Sequence, residues 1–420
     1  MMKILCAPNE QLASLRSGQH RSFSLFKGSE HSDIGVIARD WKATLIRQEF
    51  APSIQAWDFV QFCLSVCAAD LACKRDLSAD GWTRNIELTI ALNQPERWHP
   101  WKQHSESLLR VLTGDYWTIH FIDGGESPPS AASAPLANDS VSLLSGGLDS
   151  FIGAIDAVAE GRKPLFVSQL AHEDSARQRN YASLLGESNH FQWSHAINFK
   201  GGRESSTRAR SLAFYGFAVL AATKVQSDQV TIFVPENGFI SVNPPLLPGR
   251  VSSLSTRTTH PLFISMLQQL LHGLGISVSL ELPYKFKTKG QMLQECKDQK
   301  LLADWASDTT SCGRFRVYNR THCGRCVPCM IRRSAFLEWG QNRDSTRYKF
   351  PNLVRSGKAS GPDDPMAVAL AVLQVRREGL DRFLGASLAF APIAERAAYR
   401  QVLHSGIKEL EVLLQADGLL

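Results

Sequence analysis

One stretch constrains this chain more than any other: Val141-Ser142-Leu143-Leu144-Ser145-Gly146-Gly147-Leu148-Asp149-Ser150. Val141 to Leu144 is a short apolar run suited to a buried parallel strand. Ser145-Gly146-Gly147 ends it. Phe151, Ile152, Ile155, Val158 and Ala159 then share one face of a helix. Strand, small-residue loop and helix in that order put unpaired N–H groups and the helix dipole where an anion can sit. Two glycines let a phosphate approach the backbone. The expected nucleotide-binding set is Ser145, Gly146, Gly147, Leu148, Asp149 and Ser150. Asp149 would repel phosphate unless it holds Mg²⁺, which bridges a carboxylate to pyrophosphate. The plainer alternative is a strand–helix turn with Asp149 as an ordinary first-turn acid. No Gly-Lys-Ser/Thr follows, so this is not a Walker A loop.

From Val141 onward strands and helices alternate. Leu165 to Leu170, Phe191 to Phe199, Val230 to Val234 and Ile276 to Leu282 are expected strands. Asp174–Leu185, Thr207–Val225 and His260–Leu274 are expected helices. The alternation predicts an α/β fold, a doubly wound parallel sheet with ligands at the carboxyl ends of its strands. His172, Lys200 and Glu236 fall at such ends. Arg203, Arg208 and Arg210 open the long apolar helix, where they either meet phosphate or decorate a helix surface. Arg210 is the candidate to steady a phosphate during reaction. Ser241 to His260, with Arg250, Arg257, Thr258 and His260, is long enough for a substrate-facing loop. Lys285, Lys287 and Lys289 follow the fifth strand, either near phosphate or on a solvated edge.

Gly124 to Asp139 (GGESPPSAASAPLAND) reads as a linker. It divides the 420 residues into an N-terminal α+β domain at 1–125, a linker at 126–139, a nucleotide domain at 140–340 and a helical C-terminal extension at 341–420. Before the linker, Ser53–Cys73 is expected to be a helix, and Arg84–Asn93 and Tyr116–Asp123 strands. Residues 1–50 are hard to read, with strand character at Asp33–Ile37. No chemistry is apparent in this part. Cys63, Cys67 and Cys73 are expected in the core, as are Trp98, Trp101 and Trp117. His99, His104 and His120 lack the company of other ligands. No apolar run approaches the ~20 residues that span a bilayer, and Met1 to Glu10 lacks a signal-peptide core. The expectation is a cytoplasmic protein with no membrane partner. Its net charge of +6 does not by itself require nucleic acid.

Cys312, Cys323, Cys326 and Cys329 form the second strong pattern, C-x10-C-x2-C-x2-C. Gly324 permits the knuckle turn. Four thiolates suit tetrahedral Zn²⁺ with no open position, hence a structural site; an iron–sulfur cluster is the alternative. His322 is adjacent, but four cysteines already fill the shell.

Taken together these motifs resemble a known family. SGGLDS at 145–150 resembles the PP-loop of N-type ATP pyrophosphatases. With Cys312, Cys323-Gly324-Arg325-Cys326-Val327-Pro328-Cys329 and Arg332, residues 140–340 resemble the QueC family, the 7-cyano-7-deazaguanine synthases. Arg177-Gln178-Arg179 resembles the family's QRH element, with Asn180 at the His position, and Lys289 resembles a Lys-containing stretch before the zinc site. The longer layout resembles the QueC-like component of the Qat anti-phage defence system. The resemblance implies ATP, Mg²⁺ and Zn²⁺ as cofactors. It also implies adenylation of a carboxylate such as 7-carboxy-7-deazaguanine, with Asp149 and Arg210 as the catalytic residues. Transfer to ammonia, or to an amine on a protein partner of the defence system, would follow. Two other classes compete: a PP-loop enzyme that modifies tRNA, and a non-catalytic ATP-binding scaffold. The first predicts a concentrated basic surface on residues 1–125, where charge is mixed. The second has no need of Asp149.

Overall fold

The structure, a computed structural model, describes residues 2–15, 20–132, 134–170, 174–186, 189–247, 257–340, 343–354 and 364–420. Five strands come from the first 125 residues: β1 (Met2–Ala7), β2 (Arg21–Leu25), β3 (Gly35–Ile37), β4 (Asn85–Leu92) and β5 (Tyr116–Asp123). They pair in parallel in the order β5-β4-β1-β2-β3. This corrects the expected α+β unit to α/β. The helix Ile54–Ala72 covers the sheet. It starts where the Ser53 hydroxyl accepts from the Ala56 amide at 3.3 Å, and it is buried on nearly all sides.

The second sheet follows the expected alternation. Its strands are β6 (Ser140–Leu143), β7 (Pro164–Gln169), β8 (His190–Trp193), β10 (Val230–Phe233) and β11 (Val278–Glu281), all parallel, in the order β11-β10-β6-β7-β8. The intervening β9 (Ile197–Asn198) leaves this sheet and pairs antiparallel with β3 as the outer strand of the first. Helices Leu148–Ala159 and Ser175–Leu184 pack with Leu144 and Phe166, and helices Arg210–Ala222 and Pro261–Gly273 pack with Val141, Leu143, Leu165 and Val167.

One apolar cluster runs from the first sheet through helix Ile54–Ala72 into helix Arg210–Ala222 and the second sheet. At the crossing, Gly216 faces Cys63; a Cβ there would lie 3.2 Å from that of Cys63. Trp41, Trp57, Phe50, Trp193 and Phe217 interlock across the junction with centroid distances of 5.1 to 6.1 Å. The segment read as a linker is pinned at both ends. The Glu126 carbonyl accepts from Trp57 Nε1 at 2.6 Å, and the Leu136 amide donates to Lys224 O at 2.7 Å.

The C-terminal residues form helices Asp364–Glu378, Leu380–Leu384 and Ile393–Ala416, which share a separate apolar cluster with Phe239, Met330 and Ile331. Among the described residues no helix is long and apolar enough to cross a membrane.

Candidate functional site

β6 ends at Leu143, and Leu144 still bonds Val167 O through its amide at 2.8 Å. The turn follows. Gly146 has φ +90, a conformation that favours glycine. Gly147 is the N-cap of helix Leu148–Ala159. The hydroxyls form a closed circuit: the Gly147 amide donates to Ser145 Oγ (3.2 Å), Ser145 to Ser150 Oγ (3.0 Å), and Ser150 to Gly147 O (2.9 Å). The amides of Leu148, Asp149 and Ser150 open the helix, where no intrahelical acceptor exists.

This turn borders a cavity of about 720 Å³. Ser145 and Gly147 lie on one wall; Ser205, Thr207, Arg208, Arg210, Ser211 and Phe214 lie on another. Gln169, Leu170, Asp174, His195, Thr258, Thr310 and Arg316 complete it. Gln169 Nε2 lies 2.7 Å from His195 Nδ1. Burial, with Arg210 adding to it, pushes the His195 imidazole down to about 4, so it is neutral at pH 7.

Asp149 does not line the cavity. It is buried, and both oxygens are engaged: Oδ1 with Lys289 Nζ, Oδ2 with the Asn237 amide (3.1 Å) and Asn237 Nδ2 (2.6 Å). Glu236 shares this nest. Burial pushes the Asp149 carboxyl up, but Lys289, Glu236 and Asn237 outweigh it and hold it at about 2. Glu236 is driven the other way, by burial and then by the charge of Asp149, so it keeps its proton and donates it to Asp149. A Mg²⁺ ion at Asp149 would have to displace Lys289. The role expected for Asp149, an open metal ligand beside phosphate, is therefore not the arrangement observed.

Gln178 of the Arg177-Gln178-Arg179 element is buried and donates to Ser145 O (3.0 Å) and Gln169 O (3.2 Å), so it fixes the turn from behind. Arg177 pairs with Asp174 (3.6 Å) and Asp308 (3.4 Å). Lys285 and Lys287 pair with Glu395 and Glu295, so of the three lysines Lys289 alone reaches the loop. Lys200 and Arg203 are exposed and do not line the cavity. His260 caps helix Pro261–Gly273 through Nδ1 at 3.2 Å. His172 and Arg250 lie outside the described residues.

Cys312, Cys323, Cys326 and Cys329 are buried, with their Sγ atoms all within 4.8 Å of one another. Cys312–Cys326 and Cys323–Cys329 are 3.9 and 3.8 Å apart. A tetrahedron with ~2.3 Å metal–sulfur bonds has edges of ~3.8 Å, so the cluster can hold a metal ion such as zinc. Backbone amides of Arg314 and Cys323 donate to Cys312 Sγ at 3.3 Å, and that of Cys326 donates to Cys323 Sγ at 3.2 Å, which favours thiolates. His322 Nε2 accepts from the Ser311 amide at 3.1 Å, so its lone pair is not aimed at a metal.

Sequence reasoning missed the site's support from the first sheet. Asp70, fully buried in helix Ile54–Ala72, accepts from the Arg208 and Ala209 amides, each at 2.7 Å, just before helix Arg210–Ala222. Its other oxygen meets Arg84, which also binds Asp115, itself held by Arg75. Glu204 accepts from the Arg75 amide at 2.7 Å. The cavity wall at 205–211 is thus fastened to residues 70–115. The available signal was an aspartate inside a strongly apolar helix, a burial that demands partners.

No family model matches the chain, and a search of curated proteins finds no relative.

Proposed function

We propose that the chain is a QueC-like PP-loop enzyme of a doubly wound fold. It would cleave ATP between the α and β phosphates, adenylate a carboxylate and pass the acyl group to a nitrogen nucleophile. The observation that carries this is the meeting of Ser145, Gly147 and Arg210 on one cavity at the carboxyl end of β6. β6 is central and flanked by β7 and β10, the place where strand order reverses and ligands bind in such sheets.

In this reading the amides of Leu148 to Ser150 and the hydroxyls of Ser145 and Ser150 bind the β and γ phosphates, the hydroxyl circuit opening to admit them. Arg210, exposed at the head of its helix, steadies the α phosphate while a carboxylate oxygen attacks it and pyrophosphate leaves. A nitrogen nucleophile then attacks the acyl carbon and AMP departs. Mg²⁺ would offset charge on the leaving pyrophosphate; the carboxyl groups near the loop that would hold it are Asp174, on the cavity wall beside Gly146, and Asp149 with Glu236 if Lys289 moved aside. Zn²⁺ at the four cysteines has no open position and serves structure. The proposed carboxylate is 7-carboxy-7-deazaguanine. The acceptor is ammonia or an amine on a protein of an anti-phage defence system, in the cytoplasm and without need of nucleic acid.

Mass spectrometry of products from purified protein, ATP, Mg²⁺ and 7-carboxy-7-deazaguanine tests the proposal, together with ATP:PPi exchange. AMP and an amide, nitrile or protein adduct are expected. Arg210→Ala should lower exchange by about 100-fold, the typical loss for a donor to developing charge. No exchange with any carboxylate, or full exchange in Asp149→Ala, would refute the reading.

A further inference from the structure

Asp149 is held from two directions, and one helix lies behind both. Asn237 arrives on the segment after β10; Lys289 is the first residue of helix Lys289–Glu295. The C-terminal helix Ile393–Ala416 packs on each. Gly406 lies against Phe239, two residues beyond Asn237, and a Cβ there would stand 2.2 Å from the ring. Three residues on, Glu409 reaches the other arm. It is buried and accepts from the Thr288 hydroxyl and the Gly290 amide. A Cβ on Gly290 would come within 2.8 Å of its Oε1, so glycine is what lets the carboxylate approach.

Thr288 is the N-cap of the Lys289 helix. Its Oγ1 accepts from the Gln291 amide at 3.1 Å, and the Gln291 side chain returns to the Thr288 amide at 2.8 Å. The hydroxyl proton goes to Glu409, which therefore fixes the rotor that caps the turn. A lysine in a first turn is opposed by the helix dipole. Lys289 holds that place with an acid on each side, Asp149 ahead and Glu409 behind the turn.

We propose that Glu409 is a positioning residue: through Thr288 and Gly290 it holds the turn that aims Lys289 at Asp149. The C-terminal helix thereby sets the geometry beneath the phosphate loop. The effect on turnover rests on the ATP reading; the effect on Lys289 does not.

Glu409→Ala removes the acceptor, whereas Glu409→Gln keeps one of the same shape. Reductive methylation of Lys289, followed by peptide mass spectrometry, reads its protection without ATP. Glu409→Ala should raise the labelling rate at least about fivefold as the turn opens, and Glu409→Gln should leave it within about twofold. In ATP:PPi exchange, Glu409→Ala should lower kcat about tenfold with KM for ATP within about twofold, and Glu409→Gln should restore kcat. Unchanged Lys289 labelling in folded Glu409→Ala protein, or equal losses in the Ala and Gln variants, would overturn the proposal. If Glu409→Ala does not fold, Thr288→Val removes the hydroxyl that Glu409 grips and carries the same expectations. Wild-type protein that exchanges no pyrophosphate would sink the ATP reading, while the labelling would still decide Glu409.

Discussion

At the scale of single residues, the ion pair of Lys289 with Asp149 is the exposed nerve of the site. Both side chains are at most 6% exposed, so little solvent screens either charge. Removing one partner of such a pair leaves a buried charge unpaired, at about 3–5 kcal/mol. Lys289→Met is therefore expected to be strongly destabilised at pH 7. The sign with pH follows from Asp149, whose carboxyl sits at about 2 in the folded protein. A depressed carboxyl contributes stability above its unfolded value of ~3.9 and loses it as pH falls through the folded value. In Lys289→Met that contribution is gone, so its melting temperature should approach that of wild type between pH 4 and pH 2. A deficit constant across pH would contradict the assignment of the charge pair. Chain position alone does not reveal this pair. Asp149 was legible as the odd acid in a loop of phosphate-binding pattern, but its partner lies 140 residues away, and among the lysines at 285, 287 and 289 only the family resemblance, not the local pattern, pointed to 289.

Among elements, the cysteine knuckle and the C-terminal helix both brace the loop from outside it. Arg332 stands on helix Val327–Trp339, which follows the knuckle, and is fully buried. It donates to Thr309 Oγ1 (2.8 Å), Ser311 Oγ (3.2 Å) and Ala306 O (2.8 Å). Between them, the Thr310 amide donates to Gly146 O at 3.1 Å. Removing a metal held by the knuckle is therefore expected to loosen the strip that touches the turn. One metal ion per chain is expected by elemental analysis, with Cys326→Ser losing it; on the proposed ATP reading, that variant should also bind ATP at least about tenfold more weakly. Full ATP affinity in metal-free protein would refute that link. Glu409 adds a pH test for the C-terminal helix. Burial pushes its carboxyl up to about 7, the Thr288 hydroxyl opposes this, and Glu338 adds to it. A raised carboxyl contributes stability that is full below its unfolded value of ~4.3 and lost as pH rises through the folded one. Glu409→Gln should gain on wild type between pH 5 and pH 8, by up to about 3 kcal/mol; a gap that does not widen would contradict the burial of that charge. The knuckle was legible because its ligands lie close together in sequence. The helix was legible as a helix, but its partners are distant and its buried Glu409 looks like any surface acid.

Over the whole molecule, the boundary that composition suggested near residue 125 does not separate two cores. Strands with alternating patterns, Asn85–Leu92 and Tyr116–Asp123, were readable because each carries its own burial period. β1, β2 and β3 are short, β2 carries an arginine and two serines, and β1 also pairs in parallel with the distant β4, Ile4 against Leu88. β9 has two residues and no pattern at all, yet it carries the chain from one sheet to the other. The consequence is a prediction about separability. Helix Arg210–Ala222 buries Leu212, Ala213, Phe217 and Leu220, with Phe217 against Trp41 and Gly216 against Cys63. Cutting away residues 1–125 bares that face and strands the Arg208 and Ala209 amides that Asp70 satisfies. A fragment 126–420 should therefore aggregate on expression, because an exposed apolar face of that kind is an association surface. Gly216→Leu in the full chain probes the same junction more gently. Its branched side chain must fit where a Cβ already stands 3.2 Å from Cys63, and overpacking of this kind costs about 1–3 kcal/mol. Its loss of stability should appear as one unfolding transition that carries both sheets together, since they share the core being disrupted. A monodisperse fragment 126–420 that keeps native-like chemical-shift dispersion, or two separate transitions in Gly216→Leu, would mean that the sheets are independent and that the cavity wall at 205–211 stands without the first.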